Sequence, residues 1–451
     1  MRRFLLLFMM LGAVMLAAQG GFLTLQEARE LALQNNAAYQ AKLAEYQAAE
    51  WGKVSALGNF LPTLSLDGSW LYMDPAATVT AGPASITLNN DFRTLGLSLS
   101  QPLFLGGKLW QGYQISKLTA GMAQTELTGQ RLTLLNEVDR LYLGVLQTKD
   151  LLALSDLDLR SATRNLELAQ LKLDNGLISS ADYLRFQSRL ASKEVAALQS
   201  RTALQLAQLN LRNTLGIDFM PEVDDLPGLE QDASLQALYD YDFQNTEALT
   251  TMALEKGKTG NMALQLLDSG VELSRRAYQI RKGSFLPSLM LVGSRQYEEN
   301  GIDRYKFTPS TQVILSASLP LLPQVGNYAE LKKAEFNYQK ARLEVQTAIN
   351  GIQLGTEAAV LSLVSAAQQL RAARLALDYT QTSYEQLQER FRLNLISSTE
   401  MLDADLMLSS ARIAMDGAVY GYHKARLALV DIMGLESASE LDAMIITGAN
   451  I

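Results

Sequence analysis

One pattern occurs twice in this chain of 451 residues, and the repetition limits the folds open to it. Three short segments recur at one offset of 218 residues: 97–103, 177–180 and 215–216 return at 315–321, 395–398 and 433–434. A fixed offset held along much of the chain indicates duplication. The prediction is a first repeat at 21–217, a linker or equatorial region at 218–245, a second repeat at 246–435 and a C-terminal tail at 436–451.

Spans without proline predict long helices. All ten prolines lie between Pro62 and Pro323, and a proline costs a helix interior about 3 kcal/mol. The proline-free spans are rich in good helix formers and predict helices from about 108 to 173 and from about 327 to 393. Such helices would each be about 100 Å long, with a coiled-coil-like spacing of apolar residues. An ordinary soluble helical bundle would explain them equally well.

Each repeat also has two segments in which apolar and polar residues alternate. The four predicted strands lie at about 61–73, 92–103, 286–298 and 307–321. Leu64 and Leu66 fall on one face, with Ser65 and Asp67 on the other, which indicates a sheet between two different environments. Segments of about ten residues with this pattern are what an outer-membrane barrel requires. A half-buried hairpin on a soluble domain is the alternative.

The number of predicted strands determines how many chains a membrane barrel would require. Four strands cannot close a barrel, since about eight is the smallest number that does. An open edge is not tolerated in lipid. If these strands lie in a membrane, several chains must therefore each donate four, and three chains would enclose a water-filled lumen with twelve.

The first twenty residues are predicted to be an export signal. Arg2 and Arg3 precede an apolar run at 4–16, and small residues follow at Ala18 and Gly20, as in a cleavable signal peptide. A core helix or a membrane anchor is the alternative, but the run is short for a bilayer span.

Composition excludes several classes of function. The chain has no cysteine and one histidine, His423, which removes disulfides, thiolate nucleophiles and multi-histidine metal sites. The formal net charge of −8 argues against nucleic acid as a partner. We find no catalytic constellation and predict no enzyme activity, cofactor or bound metal.

The order of the motifs resembles the TolC-type outer-membrane efflux protein family. The motifs are an exported N-terminus, Leu-Gln-Glu-Ala at 25–28, Phe-Leu-Pro at 60–62 and 285–287, Gln-Pro-Leu at 101–103 and the two Leu-Ile-Ser-Ser turns. The resemblance implies a mainly α protein with membrane β: a homotrimer with a 12-stranded β-barrel, continued by a long α-helical coiled-coil tunnel. It also implies a place in the outer membrane of a Gram-negative-type bacterium, contact with outer-membrane lipid, a periplasmic adaptor (membrane fusion) protein and, through it, an inner-membrane transporter.

The Leu-Ile-Ser-Ser turns are candidate contact sites. Gly176 can adopt the positive φ of a helix C-cap, and a serine that follows can cap the next helix. This structural role is the first interpretation. The resemblance adds that the turns contact the adaptor, with exposed leucines and isoleucines as apolar contacts. The candidates are Gly176, Leu177, Ile178, Ser179, Ser180, Leu395, Ile396, Ser397 and Ser398.

Acidic residues beside the turns are candidates for a pore constriction. Glu400 and Asp403 are three residues apart and therefore share one helix face, so capping or a solvated face would explain them as well. The resemblance implies that they line a narrow periplasmic aperture, and that Asp182 takes part in a closing lock. The residues matching the family's Tyr and Arg in that lock are Phe391 and Ile396, with Arg390 and Arg392 close by as possible substitutes.

Two functional classes remain. The leading hypothesis is the channel-tunnel of a tripartite efflux or secretion system, a passive exit duct for small molecules or proteins across the periplasm and outer membrane. The alternative is a soluble periplasmic helical scaffold protein.

Overall fold

The computed structural model describes residues 22–226, 228–229, 232–239, 246–299, 306–321 and 324–448. The predicted signal at 1–20 lies outside the described residues. The chain divides into two compact units. One comprises residues up to Lys42, Leu127–Ala263 and those from Ala348 onward; the other comprises Leu43–Glu126 and Leu264–Thr347.

The second of these units contains all of the described strands. They are β1 Thr63–Tyr72, β2 Thr78–Ala81, β3 Ala84–Thr87, β4 Asp91–Leu105, β5 Ser288–Glu299 and β6 Phe307–Ser318. Four of them form an antiparallel sheet in the order β1-β4-β5-β6. β2 and β3 form a separate hairpin, which the sequence analysis did not predict. The register between β4 and β5 shifts between Pro102 and Phe104.

The fold is mainly helical. The helices are α1 Leu25–Asn35, α2 Ala37–Gly58, α3 Lys108–Asp174, α4 Ser180–Leu215, α5 Ala233–Tyr239, α6 Glu247–Gly260, α7 Met262–Gly283, α8 Val325–Arg392, α9 Ser398–Met433 and α10 Ala438–Gly448. α3 has 67 residues and α8 has 68, because no proline interrupts either span. None of the described helices combines the length and apolar character needed to cross a membrane.

Helices α4 and α9 show the duplication most clearly. Each has 36 residues, and each begins after a serine N-cap and ends at a glycine in the left-handed conformation. The caps are Ser179 and Gly216 for α4, and Ser397 and Gly434 for α9. A serine hydroxyl satisfies a free N–H at the helix start, and glycine adopts the positive φ without a steric penalty.

Three hydrophobic clusters form the core of the first unit. One surrounds Leu363 and Tyr422, and a second surrounds Tyr142 and Leu211. The third packs Phe186, Phe391, Met401 and other side chains below the two Leu-Ile-Ser-Ser turns. Burial of such side chains stabilises each by about 1.5–3 kcal/mol, so the third cluster holds the turns on a packed base.

Candidate functional site

The first turn is a compact helix-to-helix connection. Gly176 has a φ of +69°, the conformation predicted for it, and the Leu177 N–H donates to the Lys172 carbonyl at 2.8 Å. Ser179 and Asp182 then form a capping box: the Ser179 hydroxyl donates to the Asp182 carboxylate at 2.7 Å and accepts from the Asp182 N–H at 3.1 Å. The bonds satisfy backbone groups that the ends of α3 and α4 leave free.

The second turn repeats this plan with one change. Asn394 takes the place of glycine, with a φ of +62°, and the Leu395 N–H donates to the Arg390 carbonyl at 2.9 Å. Ser397 and Glu400 form the capping box, with the Ser397 N–H donating to the Glu400 carboxylate at 2.7 Å. Glu400 therefore has a structural role at the start of α9, whatever else it does.

The apolar side chains of the two turns differ in exposure. Leu177 and Leu395 are 55% and 65% exposed and available for contact. Ile178 and Ile396 are half-buried and pack on the cluster around Phe186, so the expectation that they are exposed is wrong, and their contact with the adaptor stays a prediction. Burying the isoleucines against this cluster is favourable, because it removes their apolar surface from water.

The serines differ in the same way between the two turns. Ser180 is exposed, whereas Ser398 is buried. Only the first turn thus exposes both of its serines.

Two of the acidic candidates, Asp182 and Glu400, share one environment, a serine capping box, and Asp403 lies outside it. Hydrogen bonds from Ser179 lower the pKa of Asp182, and those from Ser397 lower the pKa of Glu400, since both favour the charged form. Asp403 is exposed. The nearby Asp405 is buried and pairs with Arg189 at 2.8 Å, so it serves as a contact between α9 and α4.

The positions that match the lock residues contain no polar side chain. Phe391 is fully buried, with its ring centroid 5.8 Å from that of Phe186. Of the two nearby arginines, Arg392 pairs with Glu389 at 2.6 Å, and Arg390 is exposed.

Lys172 joins the two turns, a role that sequence reasoning missed. This lysine lies in the last turn of α3 and is 4% exposed. Its ammonium donates to the Asn394 side-chain oxygen and lies 4.7 Å from the centroid of the Phe391 ring. Burial lowers the pKa of Lys172. Asn394 therefore supplies the acceptor that a glycine could not.

A buried polar layer connects the same helices further along. Lys193 of α4 donates to Asp158 of α3 and to the Ser409 hydroxyl of α9, the latter at 2.6 Å. Arg412 of α9 reaches Asp158 at 3.3 Å and donates to Gln381 of α8 at 2.9 Å. Burial alone would raise the pKa of Asp158, but hydrogen bonds from Lys193 and Ser409, followed by attraction to the Lys193 and Arg412 charges, lower it overall. The layer joins four helices through charges removed from water.

The four-stranded sheet has two chemically different faces. Directly paired residues share a face; Leu64 pairs with Leu99, and Leu66 with Leu97. The exposed apolar and aromatic side chains on that face include Leu64, Leu66, Trp70, Tyr72, Leu95, Leu97, Leu99, Tyr297, Phe307, Val313 and Leu315. The opposite face is richer in polar side chains: the Ser65 and Ser98 hydroxyls are 2.6 Å apart, and those of Ser69 and Thr94 are 2.7 Å apart. Exposed apolar side chains also occur there, at Leu71, Met290 and Ile314. An apolar face and a polar face suit lipid and water respectively.

Among the described residues, no three or more His, Asp or Glu side chains are grouped to hold a metal ion. His423 is half-buried, 5.7 Å from the Tyr422 ring, and burial lowers its pKa to about 4.

Long duplicated helices and a sheet with one apolar face are the features expected of an outer-membrane channel protein. Residues 28–217 and 258–435 match the sequence model of the outer membrane efflux protein family, and the chain belongs to this family. The prediction of the family is thereby confirmed.

Solved structures share the fold. The Campylobacter jejuni CmeC outer membrane channel has a TM-score of 0.78 at 16% identity, over 94% of this chain and 89% of that one. Vibrio cholerae VceC has a TM-score of 0.76 at 16% identity, over 92% and 97%.

Named relatives span most of the chain. The alkaline protease secretion protein AprF of Pseudomonas aeruginosa is 23% identical over 433 residues, 93% of this chain and 86% of AprF. The outer membrane protein TolC of Vibrio cholerae is 22% identical over 79% of each chain. The chain is an outer-membrane channel for efflux or secretion that extends into the periplasm, which confirms the leading hypothesis and its localisation; the soluble scaffold finds no support.

Proposed function

We propose that three copies of the chain close a twelve-stranded barrel in the outer membrane and continue it as an α-helical tunnel through the periplasm. One observation carries this proposal: β1 and β6 are the two edges of the described sheet, and the sheet has an apolar face. Each edge strand has a row of backbone groups without a strand partner, which lipid does not tolerate. Pairing β1 of one copy with β6 of the next removes every edge.

The absence of cysteine offers a direct test of this arrangement. Ser65→Cys on β1 is combined in turn with Ser310→Cys, Gln312→Cys and Ser316→Cys on β6, all on the polar face. We expect one pair to give covalent dimers and trimers on denaturing gels after oxidation, and each single variant to give at most dimers. Monomers alone from every pair, with no pore in planar bilayers, would contradict the trimeric barrel.

The channel is proposed to be a passive duct without an enzymatic activity of its own. An inner-membrane transporter, reached through a periplasmic adaptor, supplies the energy, and small molecules or proteins are the cargo. The exposed Leu177 and Leu395 support the adaptor contact, because such apolar side chains at a helical tip gain free energy when a partner covers them.

The adaptor contact can be tested with a photo-cross-linking amino acid. We expect the label at Leu177 or Leu395 to capture the adaptor in living cells. The matched control is the label at Leu206, an equally exposed leucine within α4. Capture from all three positions, or from Leu206 alone, would show that the turns are not the specific contact with the adaptor.

The acids beside the turns are proposed to line the periplasmic constriction. In a trimer, Glu400 and Asp403 would each form a ring of three carboxylates, and such rings favour cations. Because Glu400 also caps α9, the informative variant is Glu400→Gln with Asp403→Asn, in which glutamine still accepts the capping bonds. We expect altered single-channel conductance and roughly tenfold weaker block by trivalent cations.

Two further variants complete this experiment. Asp182→Asn reports on the matching acid of the first repeat. Asp218→Asn, beyond the opposite end of α4, is the control and should leave block unchanged. Unchanged conductance and unchanged block in the Glu400 and Asp403 variant would remove these residues from the constriction.

A further inference from the structure

Two arginines lie on the apolar face of the described sheet, Arg93 and Arg295. Arg295 of β5 pairs with Leu97 of β4 and with Thr311 of β6. Because directly paired residues share a face, its side chain emerges on the same side as the exposed leucines. Arg295 is itself exposed.

The guanidinium of Arg295 has no carboxylate partner among the described residues. Its Nε–H donates to the Tyr297 hydroxyl at 3.0 Å, and its carbon lies 5.5 Å from the centroid of the same ring. Arg93, which faces the same side, pairs with Asp91 at 2.6 Å and Glu299 at 3.6 Å. The fold neutralises one arginine of this face and leaves the other available.

An arginine on a lipid-facing surface requires an anion or water near its charge. Cations are destabilising on this surface of a barrel, most of all at mid-membrane. The planar fork of N–H groups matches phosphate oxygens particularly well. The hydrocarbon around Leu97 offers no such acceptor, but the head group of a lipid does.

The orientation of Arg295 selects the side of the membrane. Its bond to Tyr297 directs the side chain away from Ser288, where β5 begins after α7. Aromatic side chains that suit a membrane interface lie toward the same far end: Trp70, Tyr72, Tyr297 and Phe307. In the proposed barrel the helices are periplasmic, so this end faces the outer leaflet.

We propose that Arg295 binds the phosphorylated saccharide head group of an outer-leaflet glycolipid whose acyl chains cover the apolar face. The inference rests on the proposed barrel. The glycolipid phosphate accepts from the two guanidinium nitrogens that Tyr297 does not use, and Leu97 and its apolar neighbours contact the chains. A glycerophospholipid phosphate has the same chemistry but would come from the inner leaflet.

Native mass spectrometry of the full-length protein in detergent can test this. The probes are bisphosphorylated lipid A, its dephosphorylated form and phosphatidylglycerol. We expect the wild type to prefer bisphosphorylated lipid A and Arg295→Leu to bind it roughly tenfold more weakly. Arg295→Lys should retain part of the affinity, and Gln296→Leu, next to it on the polar face, should behave as the wild type.

Each of the other outcomes overturns the inference. Equal lipid A binding by the wild type and Arg295→Leu would remove Arg295 from the site. Equal binding of the dephosphorylated probe would show that Arg295 does not recognise the phosphate. A preference for phosphatidylglycerol would show that the ligand is a glycerophospholipid and not the glycolipid. Single-channel recording on the same preparations distinguishes failure of this inference from failure of the proposed function. A protein that forms a pore but does not bind lipid A selectively refutes only this inference, whereas a protein that forms no pore refutes the proposed function.

Discussion

The two helical turns show how a duplicated backbone acquires different chemistry. Gly176 and Asn394 have nearly the same φ, +69° and +62°, and each precedes a serine capping box. Glycine contributes only its conformation, whereas asparagine also offers an oxygen to the buried Lys172. The second turn is thus held to α3 by the Asn394 side chain. In the first turn, the Asn175 side chain donates to the Leu171 carbonyl of α3, the helix that leads into that turn.

The buried polar layer departs from the duplication as well. At the 218-residue offset, Asp158 corresponds to Ala376, and Lys193 corresponds to Ala411. Both members of this ion pair lie in the first repeat and correspond to alanines in the second, so the layer depends on positions at which the two repeats differ. The duplication therefore predicts where helices begin and end, while the contacts between repeats depend on positions that no longer match.

The largest expected effect comes from breaking this layer. Lys193→Met leaves Asp158 buried with Ser409 and Arg412. We expect the free energy of unfolding to fall by about 3 kcal/mol, because the carboxylate of Asp158 stays out of water and loses the charge that compensates for its lost hydration. Chemical denaturation of the detergent-solubilised protein measures it.

Two variants sharpen this test. Asp158→Leu combined with Lys193→Met should recover most of the loss, because no buried charge is left unpaired at this pair. Lys340→Met, at a largely exposed ion pair with Glu344, should change stability by less than about 0.5 kcal/mol. Equal losses in Lys193→Met and Lys340→Met would show that the layer has no special role.

Exchanging the residues of the two turns gives the next effect. Asn394→Gly keeps the favourable backbone conformation but removes the acceptor of Lys172, so we expect a loss of about 1–3 kcal/mol. Gly176→Asn should cost less than about 1 kcal/mol, because asparagine tolerates positive φ. If Asn394→Gly proved neutral or stabilising, backbone conformation alone would govern both turns.

The smallest expected effects are changes in melting temperature with pH. The folded pKa of Asp182 is lowered from 3.8, so its stabilisation is present above that pH and disappears as the pH falls through the folded pKa. Asp182→Asn should therefore lower the melting temperature slightly at pH 7 and have no effect in strong acid. A constant difference at every pH would contradict the capping role of the charge.

Asp416 of α9 should give the opposite sign. Burial, followed by repulsion from Asp150, raises its folded pKa from 3.8 to about 6, so stability falls as the pH rises between these values. Asp416→Asn should raise the melting temperature at pH 7, and the gain should fade as the pH approaches 4. A loss at pH 7 would show that the carboxylate is stabilised in its charged form.

Local chemistry explains why much of the helical fold could be predicted. Proline-free spans define α3 and α8, and Ser179, Ser397 and the glycines after α4 and α9 mark helix ends within a few residues of sequence. The alternation around Leu64 and Leu97 likewise assigns the faces of β1 and β4. These signals involve residues that are close together in the sequence, so they can be recognised without the tertiary structure.

The interactions that were missed depend on residues far apart in the chain. Nothing near Lys172 indicates that it is buried against Asn394, and nothing near Asp158 indicates Lys193 as its partner. A comparison of the repeats position by position would have singled out Asp158 and Lys193, because each faces an alanine at the offset. The sequence places Glu400 beside the turn, where capping and a pore lining would both explain it. The structure shows the capping bonds with Ser397, and the pore interpretation stays a prediction.

The glycines that end α4 and α9 also meet the ends of other helices. A methyl group on Gly434 would overlap the carbonyl oxygen of Gly260, and one on Gly216 would crowd Asn35. At both junctions the backbones touch, so divergence after duplication could alter exposed surfaces freely but could add no side chain at Gly434 or Gly260. Natural variants of this chain should accordingly keep glycine at these two positions, since even alanine would clash there.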